Sequence, residues 1–328
     1  MTNGKNGLGF VERKACPLCG SADVDCRYDR AFAESPVSDF LVRYYGANPK
    51  RFGPGRYRLD YCAACAFHFQ RWVGDSALLE ELYGQWIAFE GAPDHDPIYR
   101  RDIDAPGWSR DGHEILTIAA FLRKQPSDLR VLDYGMGWAL WARIAKAMGC
   151  KVAGTELSAD RRAFAQGHGI EVLSTDEIGE QRFDFVNTDQ LLEHVADPWE
   201  TCHRLSRVLV PGGILKISVP DGRAAERIIA RLKSVPGEVT DAEWMPVQPL
   251  EHVNCFTSRS IDQLARRAGL AVVSPTVMQR FAFVTKTPAI PRRPKQLVKE
   301  LIRPFYTFRN STNLYRWLRA DPIVRGRS

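Results

Sequence analysis

From Arg130 onward the chain repeats one pattern, a short apolar run followed by a helical stretch. The runs are Arg130–Tyr134, Lys151–Glu156, Glu171–Ser174, Phe183–Asn187 and Ile214–Val219. Helix-like periodicity fills the intervals near 138–148, 159–167 and 197–208. Strand–helix–strand alternation predicts an α/β fold with a doubly wound, mostly parallel sheet covered on both faces. Ala271–Met278 and Arg280–Lys286 are β-rich and almost adjacent, which predicts an antiparallel hairpin at the sheet edge.

The first run ends in Val131-Leu132-Asp133-Tyr134-Gly135-Met136-Gly137-Trp138, a strand entering a glycine turn and then a helix. Glycines there let the backbone approach a ligand closely. Glu156 ends the next run, about twenty residues on, where a carboxylate can accept the ribose hydroxyls of a nucleoside. A dinucleotide fingerprint would place a third glycine at 140, where Leu140 stands, and no acid beside the pyrophosphate, where Asp133 stands. A carboxylate suits the ammonium and sulfonium of S-adenosylmethionine and would repel a diphosphate.

These pieces resemble class I S-adenosylmethionine-dependent methyltransferases. The likeness runs through VLDYGMG, VAGTELS, RFDFVNTDQLLEHVADP and LVPGGILKISVPD, over about 130–286. It implies a Rossmann-like, seven-stranded sheet. It also implies cofactor binding by Asp133, Gly135, Gly137 and Glu156, with Tyr134 and Leu157 beside them, Asp176 toward the adenine amino group and Gln190 at the wall of the site. Ala139 departs from the family, which often has a small glycine there, and Trp138 and Trp141 crowd the helix start.

Upstream, Cys16-Pro-Leu-Cys19-Gly20 and Cys62-Ala-Ala-Cys65 each put two thiols on a tight turn. Two such turns facing each other supply the four soft ligands of a closed, structural Zn2+ site. The 42 residues between the pairs exceed a compact ribbon, so an insertion is expected to loop out. Cys26, Cys150, Cys202 and Cys255 lack partners at metal spacing and read as packing residues; His68 is not expected to be a ligand. CPLCGS and YCAAC, followed by ALLEELYG, resemble a narrower group that carries a zinc-binding module ahead of the methyltransferase domain. That group includes C-methyltransferases of nucleotide-linked keto-sugars and enzymes of glycan and natural-product pathways.

The expected organisation is a zinc-knuckle module over 1–72, a helical connector over 73–125, the methyltransferase domain over 126–286 and a basic C-terminal tail over 287–328. The connector rests on Leu78, Leu79, Leu82 and Tyr83, and on Ile115, Leu116, Ala119 and Leu122, at helical spacing. The expected chemistry is C- or O-methylation of a small acceptor, such as a nucleotide- or lipid-linked sugar or a secondary metabolite. Sulfonium methyl transfer needs alignment and water exclusion, and an oxygen or carbon acceptor must also lose a proton. Two histidines qualify as the base: His194, with Glu193, after the fourth run, and His252, with Glu251, in the segment after Pro220. Trp244 and Met245 are candidates to line the acceptor.

Two other readings compete. One is an RNA base methyltransferase, although Asn187-Thr188-Asp189-Gln190 lacks the Asn/Asp-Pro-Pro-aromatic run typical of amine methylation. The other is an inactive cofactor-binding scaffold. Charge disfavours nucleic acid. Residues 286–328 hold eleven Lys/Arg against two acids, so the remainder carries −3 of the net +6. The mix of cations with Leu297, Val298, Leu301, Ile302, Phe305 and Phe308 suits an anionic membrane surface. The start, MTNGKNGLGFVERK, lacks the apolar core of a secretory signal. A reducing cytoplasm is expected, with peripheral contact at the inner face of the membrane.

Overall fold

The computed structural model of the chain describes residues 9–87, 97–282 and 313–320, with Val298 and Ile302. It comprises two compact units. One gathers Met1–Glu90, Gln190–Cys202 and Val219–Arg267; the other gathers Gly91–Asp189, His203–Ser218 and Ala268–Ser328.

The second unit holds a seven-stranded sheet. Its strands are β1 (Arg130–Tyr134), β2 (Lys151–Thr155), β3 (Glu171–Val172), β4 (Phe183–Asp189), β5 (Leu209–Pro220), β6 (Leu270–Val273) and β7 (Asn313–Ala320). The order is β6-β7-β5-β4-β1-β2-β3. Pairings β1–β2, β1–β4, β2–β3 and β4–β5 are parallel, whereas β6–β7 is antiparallel. Near-complete burial of Phe183–Thr188 shows that β4 is covered on both faces, as a central parallel strand must be.

Helices α1 (Arg110–Leu122) and α2 (Leu140–Ala147) pack on this sheet. Ile115, Ile118, Ala119, Trp141, Ile144 and Ala145 meet Val131, Phe185, Ile214 and Trp317 in one core. The Ser109 side chain caps α1 by accepting from the Gly112 amide at 2.8 Å. Helix α3 (Ala159–Gly167) coincides with the predicted stretch.

The edge hairpin is a correction. β6 pairs with β7, forty residues further on, in the register Val272↔Leu318. Val277–Arg280 is a helix instead, begun by a Thr276/Gln279 capping box. Residues 283–286 of the expected second strand lie outside the described residues. Part of the basic C-terminal stretch is therefore built into the sheet rather than appended to it. Leu314, Trp317 and Leu318 are buried there. Of the apolar positions expected to face a membrane, Leu297, Leu301, Phe305 and Phe308 lie outside the described residues, and Val298 and Ile302 are exposed. Among the described residues, no helix is long and apolar enough to cross a membrane.

The first unit is built on an antiparallel sheet of Asn254–Cys255, Phe67–Gln70, Arg56–Cys62 and Asp25–Ala31, in that order. Phe10–Glu12 pairs with Trp72–Gly74. The helices Val37–Tyr45 and Ala225–Ser234 supply Phe40, Leu41, Ile228 and Ile229 to a core that also holds Tyr28, Phe32, Tyr57 and Trp244. The residues between the cysteine pairs thus do not loop out. They are two strands, a helix and much of the core of this unit.

Candidate active site

In the sheet unit, Asp133 sits near the end of β1 and is 3% exposed. It accepts a hydrogen bond from Asn187 Nδ2 on β4 at 2.8 Å. Burial pushes its carboxyl up to about 7, against the opposing pull of the Asn187 bond. The turn that follows requires left-handed backbone: Gly135 has φ +78° and Gly137 φ +54°. Ala139 adopts φ +57° as well, so the missing third glycine is met by a strained alanine.

Glu156 folds back over this turn. It accepts from the amides of Gly137, Leu157 and Ser158, each at 2.9 Å. Strand ending and glycine turn are thereby tied together. Leu157 beside it is 84% exposed. Tyr134 is half-buried, Asp176 is exposed at the start of the turn Glu177–Glu180, and Gln190 is exposed with φ +52°.

A polar layer that sequence reasoning missed lies on β5, α1 and β7. Lys216 is 2% exposed in the middle of an apolar strand. Its Nζ lies 3.1 Å from Glu114 Oε2 on α1 and 3.7 Å from Asp189 Oδ2. Glu114 also accepts from Trp141 Nε1 at 2.8 Å and from the Tyr315 hydroxyl. The only signal in the sequence was a cation inside ILKISV.

In the other unit, Glu193, His194 and His252 come together, with ligand-type atoms all within 4.8 Å of one another. The imidazole rings of His194 and His252 lie 4.9 Å apart. His194 Nδ1 donates to the Glu251 carbonyl at 3.0 Å, and His252 Nδ1 donates to the Met245 carbonyl. Each Nε2 then carries a lone pair. Burial holds both rings well below the usual imidazole range, near 3 for His194 and near 4 for His252, so both are neutral at pH 7. Glu251 points elsewhere: its carboxylate accepts from the Tyr45 hydroxyl and from Gln248 Nε2, both at 2.6 Å. Trp244 is a buried residue packed on Phe40 and Tyr57, and Met245 is 41% exposed.

Two residues that the motifs did not mark tie the histidine segments down. Arg13 donates to the carbonyls of Gln70, Val253 and Ala196 and to Asn254 Oδ1. Asn254 Nδ2 donates to the carbonyls of Leu192 and Val195, and the Asn254 amide to that of Glu193. Arg13→Met leaves these acceptors buried without their donor. The variant is expected to lose about 2–3 kcal/mol of stability, read as a lower urea midpoint, where a surface Arg→Met would move it little.

The four cysteines also meet. Sγ distances are 3.7 Å for Cys16–Cys65, 3.6 Å for Cys19–Cys62 and 3.5 Å for Cys62–Cys65. Tetrahedral Zn2+ with bonds of about 2.3 Å spaces its sulfurs at about 3.8 Å, so the cluster fits that ion, whereas a disulfide would need about 2.05 Å. His68 turns away to Glu226 at 2.8 Å. Cys150, Cys202 and Cys255 are buried as packing residues, but Cys26 is exposed.

An open sheet of this order, with a glycine turn after the first strand and an acid ending the second, defines a Rossmann-like domain of class I S-adenosylmethionine-dependent methyltransferases. Residues 108–275 match the family model for a methyltransferase domain, and the chain belongs to that family. Curated relatives include two proteins named ubiquinone biosynthesis O-methyltransferase. That of Alkalilimnicola ehrlichii is 33% identical over 95 residues, 26% of this chain and 38% of the relative. That of Chromobacterium violaceum is 25% identical over 154 residues, 44% of this chain and 65% of the relative. The chain thus spans less than two thirds of either. Similar solved structures include the plantazolicin methyltransferase BpumL with SAH, at 16% identity and TM-score 0.45, over 75% of this chain and 94% of that one. A putative sarcosine dimethylglycine methyltransferase from Galdieria sulphuraria shares 16% identity at TM-score 0.41, over 75% of this chain and 98% of that one.

Proposed function

We propose that this protein transfers a methyl group from S-adenosylmethionine to an oxygen or carbon nucleophile of a small acceptor, sugar-derived or from a glycan or secondary-metabolite pathway. The observation that carries this is the pair of buried, neutral imidazoles, His194 and His252, each with Nδ1 committed to a carbonyl and Nε2 left to take a proton. An amine acceptor would need no such group. The relatives' names speak of O-methylation, which favours oxygen.

In this reading Asp133 takes the cofactor's ammonium. Glu156, which has about four lone-pair sites and spends three on amides, keeps one for a ribose hydroxyl. Gly135 and Gly137 let the backbone close on the ligand, while Leu157 offers an apolar surface to the adenine, Tyr134 flanks the turn, and Asp176 and Gln190 keep the roles the resemblance assigns. Bound S-adenosylmethionine supplies an electrophilic methyl group. Cys16, Cys19, Cys62 and Cys65 hold a structural Zn2+ that takes no part in the transfer.

The test is turnover to S-adenosylhomocysteine across hydroxyl, enolisable-ketone and amine acceptors. His252→Asn is expected to lower turnover by roughly 10²-fold or more with cofactor affinity unchanged. Turnover confined to amines, or an unaffected variant, overturns the reading. Cofactor binding should also depend on pH. A carboxyl at about 7 is ionised above that pH and neutral below it, and only the ionised form pairs with an ammonium. Affinity measured by calorimetry is expected to weaken about tenfold from pH 8 to pH 6, and to lose this dependence in Asp133→Asn.

A further inference from the structure

Glu193, His194 and His252 have the features of a ligand set as well as those of a base. A metal-binding histidine nearly always donates its second ring N–H to a carbonyl or carboxylate, which fixes the tautomer and aims the other nitrogen at the ion. Both imidazoles do so here, through Nδ1 to the carbonyls of Glu251 and Met245. Glu193, 1% exposed, brings its carboxylate to 3.9 Å from His194 Nε2. Contraction of one or two ångströms onto a shared centre would bring all three atoms to bonding distance.

The supporting backbone is already held. Arg13 ties the Ala196 carbonyl to Val253 and Asn254, and Asn254 bonds the carbonyls of Leu192, Glu193 and Val195. A ligand set mounted this way loses little freedom on binding. Two imidazoles and one carboxylate suit a borderline first-row ion and not Mg2+ or Ca2+, which want oxygen throughout.

We propose that Glu193, His194 and His252 form a second metal site, taking a divalent transition ion such as Zn2+ or Co2+ and leaving at least one coordination position open to water or an acceptor oxygen. It is the chemical opposite of the four-cysteine cluster, which closes its ion off with sulfur. The inference rests on the reading that this cluster is the acceptor's end of the site. With the ion bound, the imidazoles would serve as ligands, a coordinated acceptor hydroxyl would give its proton to water instead of to Nε2, and its oxygen would take the methyl group as the C–S bond breaks and sulfur keeps the electron pair.

Full-length protein stripped of metal and titrated with Co2+ tests it. Two equivalents are expected. One gives intense thiolate-to-cobalt absorption and the other only weak ligand-field bands. His194→Gln/His252→Gln is expected to bind one equivalent and to keep the thiolate signal, which also reports that the unit is folded. A wild-type chain that binds a single, thiolate-bound equivalent overturns the second site, as does a double variant that still binds two. A single equivalent together with inactive His252→Asn removes the metal and leaves the proton-acceptor reading standing. Two equivalents with His252→Asn fully active keep the metal and remove that reading.

Discussion

Cys62→Ser protein is expected to be purified without zinc and without the tertiary structure of the unit that contains residues 10–87. The cysteine pairs sit where the antiparallel sheet turns. Cys16 and Cys19 precede the strand Asp25–Ala31, and Cys62 and Cys65 lie on the connection from Arg56–Cys62 to Phe67–Gln70. A tetrahedral ion would fasten the start of the segment to the central hairpin. Structural zinc sites contribute on the order of 10 kcal/mol, comparable with the whole stability of an ordinary domain. A serine hydroxyl is a poor replacement for a thiolate, and the three remaining sulfurs would keep their desolvation cost without their ion. The readout is near-ultraviolet circular dichroism from the packed Phe40, Tyr57 and Trp244, alongside zinc content. Cys26→Ser, at an exposed position outside the cluster, serves as the control and should keep both. A metal-free Cys62→Ser chain with the wild-type signal and melting temperature would show that the sulfurs meet for another reason.

The parts of this fold legible in the sequence were those whose cause is local. β1 and α3 begin and end where the pattern of apolar residues places them, because each is a single run between turn-forming residues. The glycine turn and Glu156 were legible for the same reason. Their outcome adds something, however: the carboxylate spends most of its capacity on the turn itself. Partners distant in sequence were not legible. β6 gives no hint that its mate is Asn313–Ala320 and not the nearer apolar run, since alternation reports which face is buried and not which strand lies beside it. The stretch between the cysteine pairs looked like an excursion because the zinc spacing drew attention to its ends. Its aromatics, Tyr28, Phe32, Phe40 and Tyr57, are core residues. Of the site residues, His194 and His252 were marked by their motifs. Their meeting, and the part played by Arg13 more than 180 residues away from Ala196, needed the tertiary structure.

Lys216 is the residue whose loss is expected to cost the sheet unit most. Its ammonium is enclosed by Glu114, Asp189 and the face of Tyr315, whose ring centre is 5.2 Å from Nζ. Lys216→Met preserves the volume and leaves Glu114, 4% exposed, with a buried carboxylate that has lost this cation and keeps Trp141 and Tyr315 as donors. Breaking a buried pair from one side costs about 3–5 kcal/mol, a fall in melting temperature of roughly 6 °C or more for a unit of this size. Adding Glu114→Gln removes the stranded charge, so Lys216→Met/Glu114→Gln is expected to recover much of that loss, a coupling that calorimetry resolves. The same cation also helps to hold the Asp133 carboxyl down against its burial. Without it the Asp133 carboxyl moves above 7. In the double variant, which remains folded, the pH at which S-adenosylmethionine affinity is half lost should therefore rise. A Lys216→Met chain as stable as the wild type would show that the cation is not what holds Glu114 in the layer, and an unmoved binding midpoint in the double variant would show that its charge does not reach Asp133.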